Sequence, residues 1–207
     1  LTGYLERLGD GFRVLPGPHK RYAAFHETIR MLNEGVLESQ ILDMVYRTGR
    51  TGEESSRLID PYKVWYHGGA LYVIGHDHKS GEIRTFSVDR IQKIAPTDDR
   101  FEIPPDFDFD TYTASSFGVV ADPAVTVRIR FTAEWASYVS EREWHASQKA
   151  ERLPDDQLLL TMNVGGSQEL ANWVLSFGGG ATVLEPAALR DEVRISLEAA
   201  LANYQHT

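Results

Sequence analysis

Residues 57–91 read RLIDPYKVWYHGGALYVIGHDHKSGEIRTFSVDRI, and they restrict the fold more than any other part of the chain. Three runs rich in β-branched and aromatic residues, PYKVWY, ALYVIGHDH and EIRTFSVDRI, are separated by HGG and KSG. Short strands joined by hairpin turns have this spacing, because glycine supplies the positive φ that tight turns require. The window also crowds rings among cations: Tyr62, Trp65, Tyr66, Tyr72 and Phe86 are interleaved with Arg57, Lys63, His67, His76, His78, Arg84 and Arg90. Bases stack on rings and phosphates seek guanidinium groups. The leading expectation for a ligand is therefore a single-stranded nucleic acid or a nucleotide.

The rest of the composition sets limits on this reading. A chain of 207 residues holds one large domain or two small ones. No run approaches the ~18 apolar residues of a membrane-crossing helix. There is no cysteine, which excludes a disulfide framework and fits a reducing cytoplasm. Leu1 opens no basic, apolar signal segment, so the sequence reads as a cytoplasmic piece of a longer protein. The net charge of −9 argues against a general duplex-binding surface. Residues 47–100 nevertheless carry nine Lys and Arg against eight Asp and Glu, while residues 101–207 carry seven against sixteen. An anionic ligand should choose the middle.

Taken in order, residues 1–36 are expected to form a linker, with FRVL as one short strand, followed by a helix. Tyr22, Phe25, Ile29 and Leu32 recur at helical spacing before Gly35. That helix either packs on the next domain or makes a dimer contact. Residues 37–95 supply ILDMVY, the turn TGRTGEE with Arg47 and Arg50, SSRLIDP and the three central runs. A helix followed by a bent meander of four or five strands outlines an Sm-like or SH3-like barrel. Residues 96–123 read as a connector broken by Pro96, Pro104, Pro105 and Pro123. Asp106, Asp108 and Asp110 within it lack the glycine and glutamate of a calcium loop. Residues 124–207 run strand, helix, two strands, helix, strand, helix, a ferredoxin-like α+β unit.

PYKVWYHGGALYVIGHDHKSGEIRTFSVDRI resembles the WYL domain of bacterial transcriptional regulators. Pro61-Tyr62, Leu71-Tyr72-Val73 at the name-giving triplet, Arg84-Thr85-Phe86 and Asp89-Arg90-Ile91 stand in the family's order. Only the tyrosine of the triplet is kept, and Ser87 stands where many members have arginine. Trp144-His145, Phe177-Gly178 and VLEP resemble the family's C-terminal extension. The resemblance implies an Sm-like barrel in a homodimeric cytoplasmic regulator that reads double-stranded promoter DNA through an N-terminal winged helix-turn-helix, which these residues do not show. It also implies a role in DNA-damage or phage-defence responses, with single-stranded nucleic acid as effector. Carried over by position, Arg57, Tyr62, Tyr72, Arg84 and Arg90 form the implied ligand set, and Trp65, Tyr66, His67, His76 and His78 join it on chemistry.

Each of these residues also has a purely structural alternative. Tyr62, Tyr72 and Trp65 are equally suited to a barrel core. Alternation puts Arg84 and Arg90 on one face with Phe86 and Val88, which demands a bulge or bend, and Arg90 has Asp60 or Asp89 as an alternative partner. His76 and His78 share a strand face, but two imidazoles are too few for a closed zinc site, so no metal or cofactor is expected. Trp144 and His145 are read as packing, and Gly178, Gly179 and Gly180 as a helix stop. No nucleophile elbow, His-Glu-x-x-His or cysteine nucleophile is present, and no enzymatic activity is expected. A ligand-free dimerisation or protein-docking module, or a nucleotide-processing enzyme, are the rival functions.

Overall fold

The computed structural model describes residues 18–49, 51–114, 116–119, 123–165 and 167–205. The FRVL strand and Arg50 lie outside them. The chain divides into two units at residues 103 and 104, each α+β.

In the first unit a helix, α1 (His26–Glu38), precedes five strands: β1 (Gln40–Arg47), β2 (Glu54–His67), β3 (Ala70–Asp77), β4 (Glu82–Ser87) and β5 (Ile91–Arg100). Ile29 and Leu32 of α1 join a core made by Leu42, Met44, Ile59, Val73, Phe86, Val88 and Ile91. Its outer face is laced by Arg30 with Glu27 and Glu34, at 2.9 and 2.7 Å. The helix does not stop at Gly35. It runs on to Ser39, whose left-handed backbone caps it through an N–H bond to the Gly35 carbonyl. Gly35 serves a close approach instead, since a Cβ there would stand 2.8 Å from Leu42 and 3.1 Å from Pro61.

All strands pair antiparallel in the order β4-β3-β2-β1-β5. Strands one to four follow as hairpins, but β5 crosses back to β1. This is the topology of an Sm-like barrel rather than a simple meander. Gly68 and Gly69, at φ 53° and 84°, make the two-residue turn between β2 and β3. Two expected segmentations change. SSRLIDP and PYKVWY fuse into one fourteen-residue β2, which passes through Pro61 by a bulge at Tyr62. EIRTFSVDRI is broken by a 3-10 turn at Val88–Arg90. Strand β5 also takes in Pro96, which an edge strand tolerates, so the first residues of the expected connector belong to the sheet.

The second unit holds α2 (Phe109–Ala114), β6 (Val125–Phe131), α3 (Ala133–Ser140), β7 (Lys149–Arg152), β8 (Leu158–Val164), α4 (Ser167–Leu175), β9 (Ala181–Glu185) and α5 (Ala187–Gln205). The sheet order β7-β8-β6-β9 is the ferredoxin-like arrangement. Val127, Ile129 and Phe131 alternate inward against Leu158, Leu160 and Met162. Trp144 packs on Trp173 with ring centroids 4.8 Å apart, and half-buried His145 is satisfied by Ser147 Oγ and the Ala114 carbonyl. Gly178, at φ 56°, follows α4 at its end. On α5 only Leu189 and Val193 reach the core, whereas Leu197 and Leu201 are 44% and 60% exposed.

Candidate nucleic-acid interface

Register decides which side chains meet. In β2 and β3, Ile59 stands opposite Asp77, Asp60 opposite His76 and Pro61 opposite Gly75, but Lys63, not Tyr62, stands opposite Ile74. The extra residue reverses the parity of β2. Odd-numbered residues face the core before Tyr62 and face away from it afterwards. Arg57 and Trp65 therefore lie on opposite faces of one strand.

On the core-facing side Asp77 is the centre. Its carboxylate has no solvent exposure and accepts from Arg57 Nη1 at 2.5 Å, Ser80 Oγ at 3.0 Å and the Lys79 N–H at 3.2 Å. Arg84, brought to the same face by pairing opposite Gly75, has its Nε 3.9 Å from Asp77 and is 46% exposed. The Arg57 guanidinium also lies 5.7 Å from the centre of the Phe86 ring. Arg57, Leu58, Ser56, His78, Lys79 and Asp43 line a shallow depression beside this cluster.

On the opposite face Trp65 contacts Tyr72, directly across from it, at 5.8 Å, and His67 at 5.3 Å. Lys63 is exposed on the same side. Farther along, Asp60 lies between His76 Nδ1, at 3.3 Å, and His78 Nε2, at 2.6 Å. Tyr66, 60% exposed, pairs opposite Leu71 near the turn and by alternation belongs to the side of Val64, not to that of Trp65. Segment 18–20 reaches this end of the sheet. Lys20 binds the carboxylate of Asp89 at 2.6 Å and the hydroxyl of Ser87 at 3.2 Å, and the backbone N–H of Leu71 donates to the Tyr22 hydroxyl at 2.6 Å. Burial by itself raises the Asp89 carboxyl, but hydrogen bonds from Lys20 and Ser87 and the Lys20 charge outweigh it, so the group titrates below its ordinary range.

Two residues of the expected set go elsewhere. Tyr62, the bulge residue, is only 6% exposed and packs against Phe101, so its ring is consumed by the fold. Arg90 is carried off by the 3-10 turn and lies against Gly49, where a Cβ would stand 2.2 Å from its guanidinium carbon. Neither Asp60 nor Asp89 pairs with it, since these carboxylates hold the histidines and Lys20. Arg57 and Arg84 thus converge, as do Trp65, Tyr72 and His67, but on opposite faces of the sheet. Sequence reasoning missed the organising roles of Asp60 and Asp77. Their signal was an aspartate inside each of two apolar strand runs, where that residue is depleted.

Comparison with known proteins agrees with this architecture. The WYL domain family matches residues 27–96 and the WCX domain family residues 123–201. Protein PafC of Mycobacterium tuberculosis is 27% identical over 177 residues, covering 82% of this chain and 52% of that protein. The chain therefore spans about half the length of the curated relatives it matches. Among solved structures, a CRISPR Cas-related protein aligns over 90% of this chain and 54% of its own with a TM-score of 0.60 at 11% identity, which shows a shared fold. Proteasome accessory factor B/C (PafBC) of Arthrobacter aurescens aligns over 91% of this chain and 28% of its own, at 21% identity and a TM-score of 0.41.

Proposed function

Since the chain is a WYL domain followed by a WCX domain, we propose that it is the effector-sensing and dimerisation portion of a cytoplasmic transcriptional regulator, acting by binding and not by catalysis. The effector is single-stranded DNA or a related nucleic-acid or nucleotide ligand, held at the WYL barrel. Occupancy shifts the homodimer between arrangements and so governs promoter binding by a helix-turn-helix elsewhere in the regulator, in a DNA-damage or phage-defence response. The ligand must favour one arrangement over the other, because equal affinity for both would shift nothing.

The observation that carries this reading is the Trp65–Tyr72–His67 ring cluster beside exposed Lys63, on the sheet whose edge strand also presents Arg84. Rings supply sequence-tolerant stacking, and cations supply phosphate contacts that weaken with salt. Titrating a fluorescently labelled single-stranded oligonucleotide at several salt concentrations tests it. Saturable, salt-weakened binding that falls in Trp65→Ala and Arg84→Ala is expected; no binding at low salt in the parent would remove the reading. In that event the exposure of Leu197 and Leu201 on α5 favours a second reading, a ligand-free dimerisation or docking module.

A further inference from the structure

Asp60, His76 and His78 present three potential metal donors on the face away from the core, with one ligand atom from each residue all lying within 4.8 Å of one another. Two imidazoles in the sequence HDH are by themselves too few to hold an ion. Strand pairing supplies the missing ligand, since Asp60 in β2 stands directly opposite His76 in β3. His78, just past the end of β3, is pinned by its backbone N–H bond to the Leu58 carbonyl. The two rings lie 5.1 Å apart and flank one carboxylate.

We propose that this triad binds a divalent transition-metal ion of the zinc class. Two imidazoles and a carboxylate suit zinc, cobalt or iron(II) better than magnesium or calcium, which prefer all-oxygen shells. Tetrahedral bonds of about 2.0–2.2 Å place neighbouring donors on the order of 3.4 Å apart. The observed separations of 2.6 and 3.3 Å between carboxylate oxygens and ring nitrogens need only small side-chain rotations to reach that. Three protein ligands leave a coordination position for water, and the imidazoles, each about one-third exposed, leave a path to it. The two strands that carry the triad are closely packed. Gly75, beside His76, backs so closely on β2 that a Cβ would stand 2.2 Å from the Asp60 carbonyl oxygen. An empty triad is a poor phosphate site, because the Asp60 carboxylate repels the anion that the histidines would attract.

The test is titration of the whole chain with zinc against a chromophoric chelator, and with cobalt(II) read by its visible absorption. One tight equivalent is expected, with a cobalt spectrum of four- or five-coordinate N/O ligation and no competition from magnesium. Asp60→Asn, His76→Gln and His78→Gln should each weaken binding by more than ~10-fold. His78→Gln, at a strand end, serves as the variant that keeps the fold, checked by circular dichroism. Absence of stoichiometric binding by the parent, or full affinity in the folded His78→Gln chain, overturns the site. Neither outcome depends on oligonucleotide binding, so this inference and the effector reading fail separately.

Discussion

Arg57 and Asp77 form an ion pair across β2 and β3 in which the carboxylate is wholly withdrawn from solvent and the guanidinium is only 13% exposed. Such a pair is held together less by net attraction than by the cost of separating it. Either charge alone in that position would be desolvated without compensation. Arg84, more exposed, lies 3.9 Å from Asp77 and 3.4 Å from the exposed carboxylate of Glu82, so of the two cations it is the one a ligand can reach.

Asp77→Ala is therefore expected to destabilise the chain by ~3–5 kcal/mol, because it strands Arg57. Denaturant unfolding of the single variants and of Arg57→Met/Asp77→Ala checks this. The double variant should lose clearly less than the two single losses added together.

The Lys20–Asp89 contact gives an acid dependence with a definite sign. The Asp89 carboxyl is depressed in the folded state, so its contribution is fully present above the unfolded value of about 3.9 and is lost as pH falls through the lower folded value. Parent and Asp89→Asn should differ in urea midpoint at neutral pH, and the difference should begin to shrink as pH falls below about 3.9 and vanish below the lower folded value.

Gly75→Ala should cost ~1–3 kcal/mol or more, since the added Cβ meets backbone and not a movable side chain. A lowered melting temperature with unchanged secondary structure by circular dichroism is the expected result. Gly81→Ala meets no neighbouring atom, and its cost is confined to backbone strain at φ 72°.

If the ring cluster stacks bases, Trp65→Ala and Tyr72→Ala should each weaken oligonucleotide binding by ~1–3 kcal/mol. Tyr62→Phe should leave it unchanged, because that ring is enclosed against Phe101. Fluorescence anisotropy on the three variants distinguishes an open stacking face from a general loss of stability.

Much of the fold was readable because periodicity and turn chemistry are local. The glycines of HGG mark the β2–β3 hairpin, and VTVRIRF corresponds residue for residue to β6. What was not readable depends on register. Arg57 and Trp65 are both odd-numbered, so alternation alone puts them on one face; the extra residue at Tyr62 separates them. A break in alternation near Arg84 and Arg90 was foreseeable, but its form, a 3-10 turn that turns Arg90 away, was not. The partners of His76 and His78 were hidden for the same reason. Asp60 is remote in sequence and becomes their neighbour only when β2 and β3 pair.

The extra residue at Tyr62 also works as a spacer. Pro61 and Lys63 stand opposite the consecutive residues Gly75 and Ile74, so Lys63, Val64 and Trp65 keep the faces that an unbroken strand lacking Tyr62 would give them. Losing that one residue would leave the indole opposite Tyr72, whereas a strand running straight through all fourteen residues would turn Trp65 inward and Val64 outward. The surplus residue, tucked out of the ladder, is what keeps the indole in step with β3.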